Sequence, residues 1–448
     1  MAAVVAISLA VGDLYRLSTP HDFFDLKIYM KAMRWWADGN PLYDYVQPDA
    51  VQGELYFTYP PITALLLRPF AGLPLGTTIV IFTLLTVLAV AVTTGWLLTQ
   101  TRLAASLARI PAVRWITPAW PTRRSATAAG SGPRREVSTW FLIGVAVPLA
   151  FAAESIRETL TFGQINMLLV TLILWDLLFA VPARSRWAGI GVGVATALKL
   201  YPGIFIIYLL VARRWRAAAA ASATAAAATL LAAAVAPSDS WRFWTHELWA
   251  TARVGRTDYT GNQSLLGLLS RLSAPEEPDR LLWLALVVAV AVYGLWRAAQ
   301  AARAGDELAG LTLSGLVGAL VSPITWPHHV YWFIPAMVVL VDAATRPAGA
   351  GPTGMGRRPR LPVGSRRAAL LAFAAVGYAA VVYGVVSFYD WGIALVPTDS
   401  PVEFVLRNLS VLLALLLLAA LPIRRPEPAV TGSGATLRRR PGAPAGSG

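Results

Sequence analysis

Hydrophobic positions fall in long runs along this chain, and polar positions break the runs at intervals instead of alternating with them. Apolar stretches cover 1–17, 75–98, 138–153, 163–183, 187–199, 201–213, 217–236, 280–297, 308–322, 330–345, 368–388 and 402–423. Lipid leaves no water to pair backbone groups, so such runs are expected to be helices. Crossing the hydrocarbon takes about 20 residues. The pattern predicts an all-α integral membrane protein, a bundle of about twelve transmembrane segments with short re-entrant and interfacial helices on one face. Residues 187–199 and 201–213 read as a short pair that enters and returns from one side, broken at Pro202 and Gly203, where Pro removes a backbone donor. The first run is short, with Asp13 and Arg16 inside it, and lacks the leading basic residues of a signal peptide. Either it is a short tilted span or the true start lies upstream; the second reading is preferred.

Charge sets the expected orientation. Loop 99–137 carries Arg102, Arg109, Arg114, Arg123, Arg124, Arg134 and Arg135 against Glu136 alone, and 346–367 carries arginines with no acid. Arginine-rich loops between spans mark the cytoplasmic side. The net charge of +14 therefore reflects topology, and no nucleic-acid partner is expected. Both termini then lie inside, in a single polytopic domain, 1–423, followed by a disordered basic cytoplasmic tail, 424–448. With 56% hydrophobic and 14% charged residues, a soluble enzyme is excluded. The chain has no cysteine, which excludes disulfides, thiolate metal sites and a cysteine nucleophile.

The opposite, outer face receives 18–74, 154–162, 237–279, 323–329 and 389–401, which gather acids, tryptophans and proline turns. Loops that keep charged and aromatic residues together are where chemistry is expected. In loop 18–74, Asp25 opens a helix read at 26–38, with Ile28, Met30, Met33, Trp35 and Trp36 expected to face the membrane. Asp25 could cap that helix or act as a general base at the lipid boundary, with Asp22 as competitor. Phe57-Thr-Tyr59-Pro60-Pro61 reads as a partly re-entrant element. Gln164 and Asn166 enter a span, where an unpaired amide is costly; they bond another helix or face a polar cavity. Lys199, at the tip of the broken pair, either snorkels to the interface or meets a phosphate. Asn262 and Gln263 could cap a helix or bond a sugar. In the turn that holds Trp326, adjacent His328 and His329 are poor metal geometry and read better as phosphate or acceptor ligands. Arg157, at the outer end of its span, is a reserve cation.

These motifs occur in the order Asp25-x-x-x-Tyr29, Phe57-Thr-Tyr-Pro-Pro61, Gly163-Gln-Ile-Asn166, Lys199-Leu-Tyr-Pro202, Gly261-Asn-Gln-Ser264 and Ser322-Pro-x-x-Trp-x-His-His329. Over about residues 20–345 the chain resembles glycosyltransferase family 87, membrane mannosyltransferases of the GT-C type. The resemblance implies a polyprenyl-phosphate-mannose donor, a glycolipid acceptor of the phosphatidylinositol mannoside or lipomannan type, α-1,2 linkage and inversion at the anomeric carbon. It also implies chemistry on the outer side of the plasma membrane, with Asp25 as base and His328 or His329 as the family's outer histidine. Donor phosphate is expected at Lys199, His328, His329 and Arg157, and substrate at Asp22, Tyr29, Tyr59, Gln164, Asn166, Asn262, Gln263 and Trp326. No metal or cofactor is expected, since no Asp-x-Asp nucleotide-sugar motif occurs and a lipid phosphate leaves without an acid. The expected partners are donor, acceptor and membrane lipid, with the chain a monomer. A lipid or sugar transporter is the competing reading, although transporters favour repeated spans, and no repeat is found here.

Overall fold

The computed structural model describes residues 2–18, 21–49, 53–107, 137–250, 253–346, 363–388, 398 and 400–424. Most of the arginine-rich loops 99–137 and 346–367, and nearly all of the tail 424–448, lie outside them. The described residues are mostly helical. They begin with α1 (Ala2–Leu17) and α2 (Phe24–Ala37), then a hairpin of β1 (Val46–Asp49) and β2 (Gly53–Tyr56). Next come α3 (Pro61–Leu67), α4 (Leu75–Thr99), α5 (Leu103–Leu107), α6 (Thr139–Ala152) and α7 (Glu154–Phe162). The middle holds α8 (Asn166–Trp175), α9 (Ile190–Leu198), α10 (Ile204–Val211), α11 (Trp215–Val235) and α12 (Pro237–Thr245). The remainder is α13 (Leu265–Ser273), α14 (Arg280–Arg303), α15 (Glu307–Val321), α16 (Phe333–Thr345), α17 (Val363–Tyr383), α18 (Pro401–Arg407) and α19 (Leu409–Ala420).

Four described helices, α4, α11, α14 and α17, are long and apolar enough to cross a membrane, or six spans if each bent pair counts as one. Two expected spans are not straight. The run at 138–153 continues into α7 through a 69° bend, and the run at 402–423 is α18 and α19 meeting at 76°. At the first bend Ala153 is extended, with φ −66° and ψ 135°, which ends the α6 hydrogen-bond ladder. The expected break between 187–199 and 201–213 is present: Lys199 is extended (φ −152°, ψ 123°) and Tyr201–Gly203 form one 3-10 turn before α10.

Helix α4 turns threonines inward and leaves large apolar side chains exposed, the reverse of a soluble helix. On α4, Thr78, Thr86 and Thr93 are buried while Val80, Leu84 and Leu88 are exposed. Thr93 returns its hydroxyl to Ala89 O at 2.7 Å, so this buried hydroxyl is paired within its own helix. The interior between α10, α15 and α16 is built around Trp332, fully buried, with its ring 4.8 Å from that of Phe205. A Cβ at Gly315 would come 2.1 Å from the Trp332 ring, so only glycine lets α15 approach this indole.

The helix read at 26–38 exists as α2, but its apolar face points the other way. Ile28, Met30 and Met33 are buried in the protein, and Trp35 is the exposed aromatic. Tertiary packing against α3, α7 and the turn Arg68–Gly72 takes the face that an isolated amphipathic helix would give to lipid.

Candidate active site

A cavity of 270 Å³ opens between α2, the 57–60 segment, the α7–α8 junction, the α9–α10 break and the turn before α16. Each of its polar groups is placed by a local device. Phe23, preceding α2, has φ +54° and donates its N–H to Thr161 O at 2.7 Å, docking the start of α2 on the end of α7. A left-handed Phe is unusual, and such strain persists only where surroundings enforce it. Facing it, Gly163 ends α7 with φ +72°, and a Cβ there would lie 2.7 Å from Leu26 Cβ. Glycine is required on both counts. The close approach brings Gln164 to Asp25 in the first turn of α2.

From that point the polar groups form a chain. Gln164 donates its amide N–H to Asp25 Oδ2 and accepts from Tyr59 Oη at 3.2 Å. Tyr59 and Tyr29 share a hydroxyl–hydroxyl bond of 2.6 Å. Lys199 Nζ donates to Tyr59 Oη at 3.2 Å and to Asn166 Oδ1 at 3.0 Å, and lies 4.9 Å from the Tyr59 ring centre. Asn166 in turn donates to His328 O at 3.0 Å. The extended Lys199 frees Leu198 O from the helix ladder, and Thr63 takes it up at 2.5 Å, fixing α3 to the break. Interhelical hydrogen bonds in membranes average only about 0.6 kcal/mol. The network's effect is therefore mainly geometric.

Burial raises the Asp25 carboxyl from 3.8 to about 6, against the opposing effects of the Gln164 hydrogen bond and the Lys199 charge. That places a base near the pH at which it would work. His328 and His329 lie at right angles, with ring centres 4.5 Å apart, and both line the cavity. His329 Nδ1 accepts from Trp326 N at 3.1 Å, leaving Nε2 without a partner, and neither ring nitrogen of His328 has one. Burial holds both imidazoles well below the usual histidine range, so they are neutral and offer N–H groups in place of charge. Among the described residues, no three His, Cys, Asp or Glu side chains gather as a metal site.

The cavity thus gathers Asp25, Lys199, His328, His329, Tyr29, Tyr59, Gln164 and Trp326 along its lining, with Asn166 just behind. It does not gather the others. Asp22 is exposed and pairs with Lys27 outside. Arg157 is wholly buried, spent on Ala152 O and, at 2.7 Å, on Val382 O, where it ties the α6–α7 bend to α17. Asn262 bonds Thr257 O, Pro323 O and Thr325 N, and Gln263 bonds backbone of Thr260, Arg407, Ser410 and Val411. Both amides hold turns. Tyr201, Glu247 and Arg253 line the cavity without having been singled out in the sequence. Tyr201 lies inside the Lys199-Leu-Tyr-Pro202 motif, and Glu247 lies between Trp244 and Trp249, in the tryptophan-rich stretch that is the available signal for it.

A family model, Glycosyltransferase family 87, matches residues 57–323. The chain is 34% identical over 343 residues to the polyprenol-phosphate-mannose-dependent alpha-(1-2)-phosphatidylinositol mannoside mannosyltransferase of Mycobacterium tuberculosis, covering 76% of this chain and 74% of that one. It is 29% identical over 348 residues to a polyprenol-phosphate-mannose-dependent alpha-(1-2)-phosphatidylinositol pentamannoside mannosyltransferase of Mycolicibacterium smegmatis, covering 76% and 75%. A more distant match, 26% over 316 residues, is an alpha-(1->3)-arabinofuranosyltransferase of Mycobacterium tuberculosis, of which 62% is covered. No solved structure matches. These matches give the transporter reading no support. The chain is a glycosyltransferase and belongs to glycosyltransferase family 87.

Proposed function

We propose that this enzyme moves mannose from polyprenyl-phosphate mannose to a mannosylated phosphatidylinositol lipid, in α-1,2 linkage and with inversion. The observation that carries the reading is the joining of Asp25 to Lys199 through Gln164 and Tyr59 on one cavity wall. Asp25 takes the proton of the acceptor hydroxyl as its oxygen bonds to the anomeric carbon. The bond from that carbon to the phosphate oxygen breaks, and the polyprenyl phosphate leaves with the electron pair. Lys199 receives the growing negative charge, and His328 or His329 donates an N–H to it. The phosphate is already a good leaving group, so one carboxylate suffices.

The relatives' printed names support the donor and the acceptor class. In this reading residues 1–423 form one polytopic unit of about twelve membrane segments, the shorter apolar helices included. The enzyme sits as a monomer in the plasma membrane, with loops 99–137 and 346–367 and the basic tail 424–448 in the cytoplasm and the cavity facing outward. The test is transfer of label from radiolabelled polyprenyl-phosphate mannose, in membranes carrying the protein, to a panel of mannosylated lipids. Label should appear in an elongated phosphatidylinositol mannoside; incorporation from a nucleotide sugar alone would contradict the donor.

A further inference from the structure

The cavity carries a second charged cluster that the Asp25–Lys199 chemistry does not use. Glu247 is its centre, with Oε1 2.7 Å from Arg242 Nε and Oε2 2.7 Å from Arg253 Nε. Arg242 also pairs with Asp44, and Arg253 donates to Tyr43 O at 2.9 Å. The Arg253 guanidinium lies over the Tyr56 ring, 3.9 Å from its centre. Tyr56, Glu247 and Arg253 all face the cavity. The cluster is joined to the Asp25 side through Tyr43, whose hydroxyl donates to Tyr59 O at 2.7 Å.

Charge separates the two sides. Among the described residues Lys199 makes no direct salt bridge: it bonds the neutral Tyr59 hydroxyl and Asn166 carbonyl, and Asp25 is the acid that its charge reaches. Arg242 and Arg253 are balanced by Asp44 and Glu247. An anionic phosphate is drawn to the first arrangement. A neutral, hydroxyl-rich sugar suits the second, where a carboxylate accepts from hydroxyls and a held guanidinium donates to their oxygens. The planar Arg fork is already oriented, so little entropy is lost on binding. The flat face of Tyr56 and Arg253 can receive the C–H face of a pyranose ring. On the same segment, Trp241 and Trp249 are 72% and 74% exposed. Indoles so placed favour the membrane interface, which is where a lipid-linked sugar presents its head.

We propose that Tyr56, Glu247 and Arg253 form the acceptor subsite, binding the acceptor's glycan while the donor phosphate occupies the Lys199 side. The proposal rests on the transfer reading above and adds which wall takes which substrate. The test is separate KM values for donor and acceptor in Arg253→Lys and Val254→Trp. The first keeps charge but loses the fork and the stack. The second adds bulk at an exposed cavity position that makes no ion pair, so it keeps the test alive if the first fails to accumulate. Acceptor KM should rise about tenfold or more, with donor KM within about twofold of wild type. An unchanged acceptor KM, or a rise in donor KM instead, overturns the subsite and leaves the transfer reading standing. A wild type that transfers mannose to no acceptor overturns both.

Discussion

Gln164 donates its side-chain amide to the carboxylate of Asp25, 139 residues earlier in the chain. The contact exists because Gly163 ends one helix in a conformation that places the next residue against the first turn of another. The same amide's carbonyl accepts from Tyr59, so one glutamine orients the candidate base and, through Tyr59, connects it to Lys199 along the same cavity wall.

Burial raises the Asp25 carboxyl from 3.8 to about 6, and the base works only when ionised. The pH profile of kcat/KM should therefore have its rising limb near pH 6. The sign for stability is opposite. A carboxyl raised by folding favours the protonated native state, so its contribution is full below pH 3.8 and is lost as pH rises through about 6. Gln164→Leu removes a hydrogen bond that favours the ionised form. It should move the rising limb to higher pH and slow transfer about tenfold or more. A profile that stays put in Gln164→Leu would separate Asp25 from the limb.

Lys199→Ala should raise donor KM and lower kcat, about tenfold to a hundredfold in kcat/KM, the scale of a lost charge-assisted hydrogen bond. Lys199→Arg should keep part of the activity, because it retains the charge near the phosphate. Equal activity in Lys199→Ala and wild type would move the cationic role elsewhere.

The chain has no cysteine, so single cysteines report sidedness without background. Glu54→Cys, on the hairpin beside the cavity, should react in whole cells with an impermeant thiol reagent. Arg186→Cys, in the turn between α8 and α9, should react only after the membrane is opened. The reversed pattern would put Asp25 on the cytoplasmic side, where nucleotide sugars are available.

Much of the site was legible because polar residues in apolar surroundings stand out. Asp25, Lys199, Gln164 and Asn166 are conspicuous in hydrophobic sequence, and all four meet at the cavity or directly behind it. Asn262 and Gln263 look identical by that criterion, yet their amides satisfy nearby backbone; composition does not say which way a buried amide points. Arg157 has the same ambiguity and is consumed by two carbonyls. The sequence around Arg253 does not point to the cavity, because its place over the Tyr56 ring and its ion pair with Glu247 arise only in the packed structure. Hydropathy found the apolar runs but not the bends at Ala153 and Asn408, since averaging over a window carries no information about the backbone of a single residue.

The most direct test of the account is mannose transfer by Asp25→Asn, measured in membranes beside wild type and Asp22→Asn at matched protein levels. With radiolabelled polyprenyl-phosphate mannose and a phosphatidylinositol mannoside acceptor, Asp25→Asn should lose about 10²–10⁴-fold in rate, because an amide cannot take the acceptor's proton. Asp22→Asn, altering an exposed carboxylate paired with Lys27, should stay near wild type. Full activity in Asp25→Asn with a dead Asp22→Asn would contradict the assignment of Asp25 as the base.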